Sequence, residues 1–269
     1  MEGYSILMSV YSKENPAYFQ QAIASMLEQT YPSDDFVLVC DGPLTQALEE
    51  IICRYASSLK VIRKPTNTGL ADALNVGLSH CRYDLVARMD SDDISFPDRC
   101  QRQCQRFVQD PELMILGAAV LEFSQTPQQP YGKRQTPSEY DAICAYSRKR
   151  SPFNHPAVMY RKQAVLAAGG YSSEYPFFED YDLWVRMLRS GVKAANIDEP
   201  LVNMRMLENT YQRRGGSAYC KTMLRFHRGL LRSGWAGWGD FLTGAVPHAA
   251  ACLLPAKLLK QIYRRLHKA

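Results

Sequence analysis

The chain has 269 residues, of which 46% are hydrophobic and 22% charged. That suffices for one large domain, or a domain with an appendage, and excludes an intrinsically disordered chain. The net charge of +5 is uneven: from Arg205 onward 12 basic residues face 2 acidic ones, whereas residues 1–204 carry 20 basic and 25 acidic. A basic tail calls for an anionic partner such as phosphate, nucleic acid or anionic lipid. The eight cysteines show no paired C-x-x-C spacing, and no His or Cys group completes a zinc site around Cys100 and Cys104. Free thiols in a reducing compartment are expected. The opening MEGYSILMSVY lacks a basic start, so no signal peptide is expected.

The first hundred residues alternate strand and helix signals. Ser5–Tyr11 reads as a buried strand, and Pro16 opens a helix over Ala17–Gln29. Phe36–Cys40 is a continuous apolar strand ending at the turn Asp41-Gly42-Pro43. Leu44–Tyr55 reads as a helix, Leu59–Arg63 as a short strand, Leu70–Leu78 as a helix and Tyr83–Met89 as a fourth strand. Leu113–Phe123 and Ala157–Tyr160 are further strands, Gln125–Pro137 a loop or hairpin, and Glu179–Arg189 an amphipathic helix. This alternation predicts an α/β fold whose mostly parallel sheet is covered on both faces. Ligands of such sheets bind beyond the carboxyl ends of the strands, where Tyr11, Asp41 and Asp90 all fall.

The stretch RMDSDDISFPDR places Asp90, Asp92 and Asp93 within four consecutive residues. Like charges this close repel, and a hard divalent cation with oxygen ligands would relieve them. The alternative is a turn and capping role, with Pro97-Asp98 opening the next helix. An EF-hand is excluded by the missing Gly and Glu at its sixth and twelfth positions. A second acidic group, Glu179-Asp180-Tyr181-Asp182, opens a helix. It serves either the helix dipole or a general base.

The succession SILMSVY, FVLVCDGP, NTGLADALNVGL, RMDSDDISFPDR and GGY…EDYDLWVRML resembles the family 2 inverting glycosyltransferases of the GT-A fold. The likeness is strongest to bacterial enzymes of capsule, O-antigen and exopolysaccharide (amylovoran-type) assembly, whose pattern SPFNHPAVMYRKQAVLAAGGY and YQRRGG also follow. It covers about residues 4–216. It implies a GT-A domain over 1–216 with a Rossmann-like sheet, followed by a helical, basic, membrane-associating region over 217–269. It also implies transfer of a sugar from a nucleotide-sugar, expected to be a UDP-sugar, to a hydroxyl of a glycan or polyprenyl-diphosphate-linked acceptor. By this resemblance Ser9, Val10 and Tyr11 line the base and ribose, and Asp41 accepts a hydrogen bond from uracil. Asp90, Ser91 and Asp92 form the D-x-D: Asp90 lies toward the ribose or sugar and Asp92 on a Mn²⁺ or Mg²⁺ bridging the diphosphate. Asp93 is an alternative ligand. Asp180 matches the catalytic base. Arg213 and Arg214 stand where relatives carry Q-x-x-R-W, although Gln212-Arg213-Arg214-Gly215 departs from that pattern.

Four positions keep two readings. His155 belongs to the acceptor site or to a structural turn before Pro156. Trp184 stacks on a sugar, beside Glu179, or joins the core. Asp72 and Asn75 reach the nucleotide or serve helix capping and packing. The chemistry accounts for the residue types: the leaving diphosphate needs its charge neutralised, and the attacking hydroxyl must lose a proton to a carboxylate.

In the tail, no run reaches the ~20 apolar residues needed to span a bilayer. Ala256–Leu266 carries Leu258, Leu259, Ile262, Tyr263 and Leu266 on one stripe, flanked by four basic residues. That suits an interfacial helix on anionic lipid, or a docked helix with a solvated basic face. The expected location is the cytoplasm, peripheral on the inner face of the cytoplasmic membrane. No nucleic-acid recognition motif accompanies the charge. The competing functions are a haloacid-dehalogenase-type phosphatase, whose D-x-D sits nearer the chain start, a sugar-phosphate nucleotidyltransferase, whose Gly-rich opening loop is missing, and a non-catalytic nucleotide-binding membrane-associated protein.

Overall fold

A computed structural model describes residues 2–207 and 216–252. Four parallel strands form its first half: β1 (Tyr4–Val10), β2 (Asp35–Cys40), β3 (Lys60–Arg63) and β4 (Leu85–Met89), in the order β3-β2-β1-β4. They are linked by α1 (Pro16–Leu27), α2 (Gln46–Arg54) and α3 (Leu70–His80). The strands read as continuous apolar runs because both faces are covered. Tyr4, Ile6, Met8 and Val10 of β1 pack with α1 and α2, while Leu7 faces the opposite side with α3. Asn15 caps α1 by accepting hydrogen bonds from the amides of Ala17 (2.9 Å) and Tyr18 (3.4 Å), with Pro16 at the first turn. Gly77 lets α3 lie directly on the sheet, since a Cβ there would run into Leu7 and Val39.

The second half continues the sheet as β4-β8-β6-β9-β5. These are β5 (Ile94–Ser95), β6 (Leu113–Phe123), β8 (Met159–Arg161) and β9 (Lys193–Arg205), with β7 (Gly132–Arg134) paired to β6. The sheet is mixed here: β8 runs antiparallel to both β4 and β6, and β5 antiparallel to β9. Four more helices, α4 (Arg99–Gln109), α5 (Tyr140–Tyr146), α6 (Lys162–Ala167) and α7 (Glu179–Arg189), pack around it.

The hairpin expected at Gln125–Pro137 is present, with β7 as its return arm. The strand expected at Ala157–Tyr160 starts later, because His155–Ala157 forms a 3₁₀ turn around Pro156. β9 was not anticipated, since Asp198-Glu199-Pro200 reads as a turn. The strand absorbs Pro200 through register shifts opposite Ala118–Val120, where a residue without an N–H is tolerated.

α8 (Gly216–Arg232) docks Tyr219, Met223, Phe226 and Leu230 on Phe178, Tyr181 and Val185 at the start of α7. The helical turns from Trp238 to Cys252 close this cluster with Ala245 and Cys252. No helix among the described residues is long and apolar enough to cross a membrane. The amphipathic stretch Ala256–Leu266 lies outside the described residues.

His227 is buried in the α8 interface, and burial, with His248 second, lowers its pKa to about 4. The folded state therefore takes up a proton later than the unfolded chain. This stabilisation is full above pH 6.5 and is lost as the pH falls toward 4. The stability difference between wild type and His227→Gln should shrink over that window by up to about 3 kcal/mol. Urea unfolding at stepped pH measures it, and a constant difference would contradict the assignment.

Candidate active site

A cleft of about 790 Å³ opens at the carboxyl ends of the parallel strands. Register explains the convergence: Val10 pairs with Cys40 and Met8 with Met89, so β1, β2 and β4 end on one edge. Ser9, Val10, Tyr11, Asp41, Asp90, Ser91 and Asp92 all line the cleft, and His155, Glu179 and Asp180 line it from the second half of the chain.

Asp41 is buried and heavily engaged. Its carboxylate accepts hydrogen bonds from the amides of Thr68 and Gly69, both at 3.0 Å, and from Lys64 Nζ at 2.6 Å. Lys64 also pairs with Asp72 at 2.7 Å. Gly69, at φ 98°, takes the left-handed turn that presents these amides. A carboxylate has about four acceptor directions, so Asp41 retains one for a donor arriving in the cleft.

The carboxylate oxygens of Asp90, Asp92 and Asp93 lie within 4.8 Å of one another. Asp93 is buried, and burial together with the charges of Asp92 and Asp90 pushes its carboxyl well above the usual range. Arg205, at the end of β9, secures the turn. Its backbone amide donates to Asp93 at 2.6 Å and its Nε to the Asp92 carbonyl at 2.9 Å. Its guanidinium lies 3.8 Å from the Tyr18 ring centroid, and Nη2 donates to Gln21 at 2.7 Å. Ser91 Oγ donates to Glu14 at 2.6 Å. Arg88 pairs with Asp90 through Nη2, while its Nε and Nη1 have no hydrogen-bond partner among the described residues. Three clustered hard-oxygen donors in a partly open turn fit a divalent cation such as Mg²⁺ or Mn²⁺.

The facing wall is the start of α7. Burial raises the Glu179 pKa, opposed by the amides of Glu179 and Phe177. His155 pairs with Tyr171 Oη at 3.1 Å; burial, then the Arg88 charge, push its pKa well below the ordinary value, so it is neutral. Arg88 lies close enough to both Asp90 and Asp180 for each carboxylate to favour its charged form against the cost of burial.

Residues 5–168 match the pattern of Glycosyl transferase family 2. The chain belongs to this family. A glycosyltransferase of Haemophilus influenzae is 37% identical over 97% of each chain. The amylovoran biosynthesis glycosyltransferase AmsE of Erwinia amylovora is 33% identical over 98% of this chain and 99% of its own. The UDP-Gal:alpha-D-GlcNAc-diphosphoundecaprenol beta-1,3-galactosyltransferase of Escherichia coli is 34% identical over 98% and 96%. Among solved structures, the mannosyltransferase PcManGT of Pyrobaculum calidifontis, in complex with GDP-Man and Mn²⁺, superposes with a TM-score of 0.65. It is 17% identical and spans 98% of this chain and 80% of its own. TarS of S. aureus in complex with UDP-GlcNAc gives 0.61 at 19% identity over 82% of this chain, which spans 64% of that protein. The phosphatase and nucleotidyltransferase readings have no support in these matches.

Within this family 2 glycosyltransferase, several expected site residues lie off the cleft. Trp184 is fully buried among Phe153, His155, Tyr160 and Tyr171, so it is core and not an acceptor platform. Asn75 spends its amide on the backbone of Tyr171, donating to O and accepting from N at 2.8 Å each. Asp72 is outside the cleft and supports Asp41 only through Lys64 and Thr68. Arg213 and Arg214 lie outside the described residues.

Sequence reading missed Glu14, Arg88, Phe177 and Arg205, which also line the cleft. Arg88 had a signal, a cation inside an otherwise apolar strand. Arg205 had none, because only the β9 register brings it to the acidic turn. Arg205→Lys keeps the charge but loses the forked contacts. It should lower stability by about 1–2 kcal/mol. Denaturant unfolding measures this, and unchanged stability would show that these contacts do not hold the acidic turn.

Proposed function

We propose that this enzyme transfers a hexosyl group from a UDP-sugar, with inversion, to a hydroxyl of a glycan carried on a lipid diphosphate. Asp180 is the general base, and Asp90 and Asp92 hold a divalent cation. One observation carries the reading: the acidic turn after β4 and Asp180 at the start of α7 line the same cleft from different elements. The full-length similarity to a galactosyltransferase whose name specifies UDP-Gal and a GlcNAc-diphosphoundecaprenol acceptor favours this donor and acceptor class.

In this mechanism Ser9, Val10 and Tyr11 form the floor under the nucleoside. Asp41 offers its remaining acceptor direction to the base while its other three contacts hold the 67–69 turn against it. The bond from the anomeric carbon to the diphosphate breaks as the hydroxyl attacks, and a divalent cation held by Asp90 and Asp92 would supply Lewis-acid neutralisation of the leaving charge. Arg88 offsets the Asp90 charge from beneath. Asp180 accepts the proton of the attacking hydroxyl, and neutral His155 and Glu179 border the acceptor side.

The protein works at the inner face of the cytoplasmic membrane in this reading. The basic tail supports it, and so do exposed Trp238, Leu242 and Val246, which recur at helical spacing on the terminal segment. Sedimentation with anionic vesicles should retain the protein at low salt and release it at high salt. Failure to bind at low salt ends the membrane assignment without touching the chemistry.

The chemistry is tested by calorimetry and rates. UDP should bind wild type more tightly with Mn²⁺ than without, and Asp92→Ala should lose that increment. Asp180→Asn should keep UDP binding while transfer falls roughly 100- to 10,000-fold. UDP that fails to bind wild type with or without metal would overturn the donor assignment.

A further inference from the structure

Phe177 has a backbone φ of 73°, the one positive φ outside glycine among the described residues. A residue with a Cβ is disfavoured there, and a bulky one more so. Its side chain nonetheless lines the cleft, and the residue is 51% exposed. A strained backbone holding an aromatic ring in water persists only where the surroundings fix it, and such positions cluster at ligand sites.

The surroundings do fix it. Phe178 is buried, stacked on Phe226 at 5.4 Å and against Tyr219 at 5.2 Å, and its amide donates to the Tyr175 carbonyl at 2.9 Å. On the same turn, the Phe177 amide acts on the Glu179 carboxylate. With Phe178 turned into the core, the left-handed backbone leaves the Phe177 ring at the cleft mouth, three residues before Asp180. Tyr219 of α8 stands beside it, with ring centroids 5.6 Å apart and planes at 49°, and also lines the cleft.

We propose that Phe177, backed by Tyr219, is the stacking platform for the acceptor sugar. This rests on the base assignment of Asp180, since the sugar bearing the attacking hydroxyl must lie within one ring of that carboxylate. A pyranose has an apolar C–H face and a hydroxyl rim. The electron-rich face of an aromatic ring suits the first, and the neighbouring Glu179 accepts hydrogen bonds from the second. Aromatic surface with a few convergent polar groups is the make-up of a small-molecule site. The ring therefore orients the acceptor, and the expected signature is in acceptor KM.

The test compares wild type, Phe177→Gly, Phe177→Leu and Phe177→Tyr. Glycine relieves the positive φ, so Phe177→Gly should fold with an unchanged or higher Tm. The probes are hexosyl- and N-acetylhexosaminyl-diphosphates carrying a short alkyl chain, with UDP-galactose and Mn²⁺. Phe177→Gly and Phe177→Leu should raise acceptor KM about tenfold, well beyond any change in donor KM, and Phe177→Tyr should restore it. Acceptor KM within twofold of wild type in Phe177→Gly overturns the platform alone. So does an equal rise in both KM values, which marks a structural role, or a Leu variant equal to Tyr, which marks plain apolar contact. Wild type that hydrolyses UDP-galactose but transfers to none of the probes also overturns it. Wild type that neither hydrolyses nor transfers overturns the reading of function on which it stands.

Discussion

Three carboxylates in one turn set the terms for the rest of the molecule. Two such charges about 4 Å apart repel by about 4 kcal/mol at the effective dielectric of a protein surface. Asp93 cannot turn toward water, since it is buried. The fold offsets this from three directions. Arg88 rises from β4 to pair with Asp90, and Arg205 reaches back from β9, more than a hundred residues later, to hold the Asp92 carbonyl and the Asp93 side chain. Beneath both, fully buried Arg99 donates to the carbonyls of Arg88 (2.7 Å) and Val158 (3.1 Å) and to Gln103 (3.0 Å). Its own pKa is drawn down by burial. The guanidiniums and the acids form one arrangement, and a cation added on the cleft side completes it electrostatically.

That arrangement explains what sequence reading reached. Parallel strands announce themselves as apolar runs, and their carboxyl ends fall at predictable residues, so Tyr11, Asp41 and Asp90 were legible as one rim. The acidic start of α7 was legible from the residues, and Asp180 within it only through the family resemblance. The antiparallel insertion of β8, the bulged β9 and the reach of Arg205 were not. These are pairings between distant segments, and a strand carrying Asp198-Glu199-Pro200 gives no periodic signal. Trp184 and Asn75 show the converse limit. The sequence left each with a functional and a structural reading, because which face a helix buries depends on its partners. α7 turns Trp184 into the aromatic cluster of the core, and α3 turns Asn75 onto the backbone of Tyr171.

The C-terminal helices are built into the α7 side of the cleft. α8 reads in sequence as the start of a basic appendage. In the fold, its Phe226 stacks against Phe178 and Tyr181, flanking the first turn of α7, and its Tyr219 reaches the cleft itself. The position of Asp180 therefore depends on aromatic packing from a segment outside the family pattern, which ends at residue 168. Apolar packing of this kind is rigid, because interiors are as dense as organic crystals, and it fixes where the first turn of α7 meets the cleft.

Asp41 illustrates why structural and functional roles are not alternatives here. Its contacts to Thr68, Gly69 and Lys64 account for its burial without any ligand. A carboxylate that spent all its acceptor capacity this way would be inert toward a nucleotide, and one that spent none would swing freely and bind weakly. Three filled directions fix the fourth. A donor arriving in the cleft then meets an acceptor whose orientation cost was met during folding, when the amides at the start of α3 closed on it. The same logic holds at Asp90, which Arg88 restrains from below. The strand-end half of the cleft is thus preorganised by the ion pairs at Asp41 and Asp90, and the α7 half by aromatic packing.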